Sequence, residues 1–131
     1  MIDPTIQTLL ERVIDSPLKL QLVLMFNERT LSTATPSEVA QRVYRDIWTT
    51  REALRELAED GVLVTTASRR DEPTYAYRPQ TDHIEPIRLL MRMYNEPMER
   101  ETINRTIREI ASDAPYRRAV RGGFAYETVR L

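Results

Sequence analysis

Apolar positions recur at intervals of three and four residues along most of this chain, and short polar breaks separate the runs. That spacing predicts helices. In the first run, Ile6, Leu9, Leu10, Val13 and Ile14 share one stripe. Asp3 stands where a cap is needed, and Pro4 suits the first helical position. Ser16-Pro17 closes this helix and opens another, whose inner face is Leu18, Leu22, Met25 and Phe26. Leu20, Val23 and Leu24 widen that face, so the second helix is expected to be central and covered on most sides. "NERTLSTA" reads as a connector. Thr35-Pro36-Ser37-Glu38 then has the form of a capping box, and Val39, Ala40 and Val43 follow as an inner face.

The next helix is expected from about Ile47 to Asp60, with Gly61 placed to end it in a left-handed conformation. Neither Gly nor Pro separates Val43 from Ile47. One continuous helix over 36–60, about 25 residues long, is therefore an alternative, although helices of that length are uncommon in small domains. "VLVTTA" and "TYAYRP" are two β-favouring runs joined by "SRRDEP", which predicts a hairpin with Tyr75 and Tyr77 packing on its sheet. Asp82, with Glu85 three residues on, is expected to cap a further helix. Its stripe is Ile84, Ile87, Leu90, Met91 and Tyr94, with Leu89 and Met93 beside it, and Pro97 stops it. A last amphipathic helix is expected over about 98–111, turning Ile103, Ile107 and Ile110 inward, with Pro115 ending it.

Composition narrows the classes. The chain has 131 residues, 41% hydrophobic and 30% charged, which fits a single domain over 1–131 with one core. The formal net charge is −1, so no overall basic character points to nucleic acid or to an anionic membrane. Charge is unevenly spread: the tail over 115–131 carries Arg117, Arg118, Arg121 and Arg130 against Glu127. Cysteine is absent, which excludes disulfides, thiolate metal sites and a cysteine nucleophile. "MIDPTIQTLLERV" lacks a basic leader, and the longest apolar run, Leu22 to Phe26, is too short to span a bilayer, so a cytoplasmic protein is expected. His83 is the sole histidine, and no phosphate-binding loop, dinucleotide fingerprint or nucleophile elbow occurs. Neither an enzyme nor a metal or cofactor site is expected.

The predicted order is helix, helix, helix, helix, hairpin, helix, helix. A helical trio running directly into a two-stranded hairpin is the winged helix-turn-helix plan. "DSPLKLQLVLMF" resembles the second-helix motif of the ArsR-like winged-helix regulators, and "SEVAQRV", "ALRELAEDGVL" and the hairpin resemble the rest of that domain. MarR-like regulators share much of the pattern. The resemblance covers about residues 15–79, and its most specific part is "LRELAEDGVL" leading into the hairpin. Where that family has Gly at the turn, an aliphatic residue after it, and Val or Ile in the recognition helix, this chain has Tyr44, Arg45 and Thr50. The family's cysteine and histidine metal-sensing sites have no counterpart here.

The resemblance implies a mostly α fold with a small β-hairpin, and a homodimeric transcriptional regulator that binds duplex DNA through helix 46–60 and wing 62–79. The flanking helices, 1–14 and 82–111, would make the dimer, through Ile84, Ile87, Leu90, Met91 and Tyr94. With Leu54 at the centre of the buried stripe and about 100° per residue, Thr49, Glu52, Glu56 and Glu59 are expected to face outward, and Trp48, Arg51 and Arg55 to share one flank. Recognition helices insert their N-terminal part, which makes Trp48, Thr49, Arg51 and Arg55 the candidate DNA contacts there. Arg69 and Arg70 at the hairpin loop are candidates for minor-groove or phosphate contact. The acidic 52–60 face supports another reading, a winged-helix module that binds proteins without sequence-specific DNA binding. A small-molecule effector near Met91, Met93 and Met98 is a third.

Overall fold

A computed structural model describes residues 2–69 and 71–121. In chain order the elements are α1 (Pro4–Arg12), α2 (Pro17–Asn27), β1 (Thr33–Ala34), α3 (Pro36–Val43), α4 (Ile47–Glu59), β2 (Leu63–Arg69), β3 (Glu72–Tyr77), α5 (Thr81–Tyr94) and α6 (Pro97–Arg121). The protein is mostly helical with one small antiparallel sheet, ordered β1-β3-β2.

Side chains start four of the helices. The Asp3 carboxylate accepts from the Thr5 amide, Ser16 from Lys19, and Asp46 from Thr49. Thr35 and Glu38 form the reciprocal capping box, at 3.3 and 2.9 Å. Each bond satisfies an amide that the first helical turn leaves without a partner. The start of α5 departs from expectation. Its cap position is Gln80, which makes no side-chain capping bond, and Asp82 lies inside the first turn.

The stretch over 36–60 forms two helices, not one. Tyr44 ends α3 in the left-handed region (φ 56°, ψ 41°), and Asp46 is extended (φ −65°, ψ 154°) before α4 begins. A left-handed tyrosine costs about 1–2 kcal/mol relative to ordinary helical backbone, so the break is held by what flanks it. Val43 on one side and Thr50, Ala53 and Leu54 on the other are all buried.

Two further differences concern the connector and the C-terminal helix. "NERTLSTA" contains β1, which pairs Thr33 with Ala76 and Ala34 with Tyr75 and so gives the sheet a third strand. Pro115 does not end the last helix. The backbone leaves helical geometry at Asp113 (φ −122°, ψ 15°), and the helix resumes to Arg121. Pro115 then falls in the first turn of the resumed segment, where a missing N–H breaks no hydrogen bond.

One core holds the elements together. Ile6, Leu10 and Ile14, Leu22, Leu54 and Leu57, Leu63, Ile87 and Leu90, and Ile103 and Ile107 are all nearly or fully inaccessible. Tyr75 is buried, and Tyr77 stacks on Phe26 with ring centroids 6.4 Å apart. The expected partner face of α5 is largely consumed by the chain itself. α1 and α6 cover it, so Ile87 and Leu90 are core residues. Tyr94 donates its hydroxyl to Asn104 on α6 at 2.9 Å, and its carbonyl accepts from Arg100. Met91 is half-buried against the same core, and only Ile84 of the five, at 37%, counts as exposed.

At the exit of α4, Gly61 adopts φ 86°, and its carbonyl accepts from the Gln80 amide at 2.7 Å. That bond ties the start of the hairpin to the start of α5. No described helix is long and apolar enough to cross a membrane.

Candidate nucleic-acid interface

α4 has two ends of different character. At its N-terminal end the capping carboxylate of Asp46 accepts from the Thr49 amide at 2.7 Å and from the Thr49 hydroxyl at 2.8 Å. These bonds hold the Asp46 carboxyl below its ordinary pKa, the backbone amide contributing most. The Thr49 hydroxyl proton is therefore already committed, and its oxygen lone pairs remain for a partner. Trp48 is 72% exposed, and the Arg51 guanidinium lies 5.2 Å from its ring centroid, a cation–π arrangement. Thr50, by contrast, is fully buried, so the helix keeps its inner stripe despite the hydroxyl at a position suited to an aliphatic residue.

Further along, Arg55 is surrounded by acid. It bonds Glu52 and Glu59 one turn to either side, and a Glu56 oxygen lies 3.8 Å away. Arg51 and Arg55, expected to act together, thus differ. Arg51 has no ion pair among the described residues, whereas Arg55 shares its charge with neighbouring carboxylates.

Glu56 does not face outward as its position on the helical wheel suggests. It turns into a cluster joining α2, α4 and α6. The Lys19 ammonium, 4% exposed, donates to Asp15 at 2.6 Å and also to Glu56. Arg118 donates from Nε to Asp15 at 2.9 Å and from Nη2 to Asp60 at 2.6 Å, with Glu56 3.1 Å away. Burial alone would lower the Arg118 pKa, but the bond to Asp60 and the surrounding carboxylates outweigh it and leave the guanidinium pKa raised. Sequence reasoning missed this cluster. One signal was present: Lys19 stands between Leu18 and Leu20 in a helix apolar on most sides, with Asp15 four residues earlier.

A groove of about 780 Å³ opens above the cluster, between the start of α2, the outer flank of α4 and the bend in α6. Leu18, Ala53, Ala114 and Pro115 line its interior, and Arg45, Trp48 and Glu52 stand among its walls. The methionines expected near an effector do not converge there. Met91 and Met93 pack against the core, and Met98 is 83% exposed.

On the hairpin, Arg69 closes β2 opposite Glu72, and Arg70 lies outside the described residues, as does the tail beyond Arg121. Asp71 turns the hairpin at φ 65°. Glu72 reaches away from the loop: it accepts from the Ser37 amide at 3.2 Å and the Ser37 hydroxyl at 2.8 Å. The exposed strand residues Thr65, Thr66, Ala67 and Ser68 lie on the same hairpin.

Comparison with known proteins finds no matching family model, no matching curated protein and no matching solved structure.

Proposed function

We propose that this protein is a winged-helix DNA-binding regulator that engages duplex DNA as a homodimer, with α4 as its recognition helix and the β2–β3 hairpin as its wing. The order α2-β1-α3-α4-β2-β3, with β3 between β1 and β2 in the sheet, supports the fold assignment. The observation that carries the function is the contrast along α4. Its C-terminal half is tied into the protein through Glu56 and Asp60, while its N-terminal end presents Trp48, Thr49 and Arg51 uncovered. That end is the part such helices insert into the major groove.

The dimer would use what α5 and α6 leave exposed, chiefly Ile84 and Met98 beside the half-buried Leu89, Met91 and Met93. Two recognition helices would then address major grooves about one turn, or roughly 34 Å, apart. Titrating the protein with random-sequence duplex at low salt tests the function. Micromolar or tighter binding that weakens steeply with salt is expected, and no binding in that range overturns the proposal.

One observation favours a second reading. Glu52 and Glu59 flank Arg55 on the exposed face of α4, and carboxylates oppose the phosphate contacts that supply most non-specific affinity. A protein-binding winged helix with a basic partner accounts for that face. Failure to bind duplex, together with capture of a basic peptide surface by α4, would select it.

A further inference from the structure

Tyr44 is a bulky aromatic residue at a position that glycine fills with less strain. Its backbone lies at φ 56°, ψ 41°, where glycine is least strained and a bulky aromatic residue is an outlier. Its side chain is 93% exposed, so the ring contributes almost nothing to the core. The amides of Tyr44 and Arg45 both donate to the Ala40 carbonyl, so the turn is an αL helix stop of the kind that glycine usually fills. A ring held in solvent on a strained turn is placed for a contact outside the chain.

The neighbouring charges indicate what that contact is. From Arg42 to Arg51 the chain carries three arginines, Arg42, Arg45 and Arg51, against one carboxylate, Asp46. Asp46 is occupied by Thr49, and none of the three arginines forms an ion pair among the described residues. Trp48, in the first turn of α4, is also exposed under Arg51. The local excess is cationic even with Arg45 in the field of Asp46, unlike the Glu52–Arg55–Glu59 stretch beyond it. A phenol hydroxyl donates well to a phosphate oxygen, and an unpaired guanidinium neutralises one.

From this juxtaposition of a strained, exposed Tyr44 with unpaired arginines we infer that the α3–α4 turn is a phosphate-gripping element. Tyr44 and Arg45 contact the DNA backbone beside the groove that α4 enters. Tyr44 donates a hydrogen bond to a phosphate, Arg45 neutralises one, and together they set the register of α4. This rests on the DNA-binding reading above and adds a contact that neither α4 nor the hairpin supplies.

The test uses the full chain with Tyr44→Gly, Tyr44→Phe and Arg45→Gln, each measured for thermal melting and for fluorescence-anisotropy binding to random duplex. Tyr44→Gly relieves the backbone, so its melting temperature is expected to rise by about 2–4 °C while duplex affinity falls about tenfold. Tyr44→Phe keeps the strain and is expected to lose affinity without gaining stability. Arg45→Gln is expected to flatten the slope of log K against log salt by about 0.9. If Tyr44→Gly binds as tightly as the wild type, the turn contact is overturned and the DNA-binding reading stands. A Tyr44→Phe protein that binds as tightly as the wild type also overturns it, because the hydroxyl would then donate to no phosphate. A wild type that binds no duplex overturns both.

Discussion

Arg118 reaches Asp60 across 58 positions of the chain and donates to its carboxylate at 2.6 Å. The same guanidinium bonds Asp15, which Lys19 also bonds, so the last described helix is fixed to the end of α4 and to the start of α2 through one charged cluster. The cations and carboxylates depend on one another. Lys19 and Asp15 are nearly inaccessible, and without Lys19 three carboxylates, Asp15, Glu56 and Asp60, share the single cation Arg118 in a buried setting.

Lys19→Ala is therefore expected to destabilise the protein by about 3–5 kcal/mol, the usual cost of breaking a buried pair from one side. Arg118→Ala, at a more accessible site, is expected to cost about 1–3 kcal/mol. Urea unfolding of the two variants checks both values. A Lys19→Ala protein within 1 kcal/mol of wild type would show that the cluster adds little.

Under the proposed DNA-binding function, freeing Arg55 should strengthen duplex binding. With Glu52→Gln and Glu59→Gln together, α4 loses two negative charges, and Arg55 loses the partners one turn to either side. Duplex affinity at low salt is expected to rise about 3–10-fold, with a salt slope steeper by about 0.9. Stability is expected to fall by less than about 1 kcal/mol, because these pairs are exposed. Anisotropy titrations at several salt concentrations provide the measurement. Unchanged or weaker binding would mean that Arg55 does not face the phosphates.

Asp46 ties the start of α4 to pH. Its folded pKa lies below the ordinary carboxylate value, so its cap contributes fully above about pH 4. The contribution fades as pH drops through the lowered folded value. Asp46→Ala should consequently melt below the wild type at neutral pH, and the gap should narrow as the pH falls below the ordinary carboxylate range and through that lowered value. Melting curves of both proteins across that range decide the matter, and a gap that persists undiminished in acid would count against the cap as its source.

Gly61 is expected to be intolerant of a side chain. At φ 86° any L-residue is strained, and an added Cβ would run into the Gln80 side chain. The Gln80 side chain can move aside, but the backbone strain stays. Gly61→Ala should cost about 1–2 kcal/mol. A melting temperature equal to wild type would show that the junction relaxes freely.

How much of this was legible in the sequence depended on how local each signal was. Asp3, Ser16 and Thr35 act on amides two or three residues away, and those helix starts appear where their side chains indicate. Gly61 at the exit of α4 is local in the same sense. β1 is two residues long and owes its existence to β3, about 40 positions later, so no periodicity announces it. Pro115 was ambiguous for another reason: the same ring that stops a helix suits the first turn of a resumed one. The charged cluster draws on positions 15, 19, 56, 60 and 118, and apart from Lys19, set among leucines with Asp15 four residues earlier, each looks like a surface residue in its own segment. Glu56 was consequently expected among the outward glutamates, and only the packing of α2 and α6 against α4 turns it inward. The inward stripe of α5 was legible too, but not that α1 and α6 would cover Ile87 and Leu90.

The two bonds from Ser37 to Glu72 have a consequence for how the protein meets a partner. They moor the loop end of the hairpin to the first turn of α3, while the Gly61–Gln80 bond secures its base. Any swing of the hairpin must break these bonds, so they bias the gap between it and the exposed end of α4 toward one width before any encounter, like the jaws of a set caliper. A partner whose contours match that gap has little left to organise, and one that does not match must itself deform.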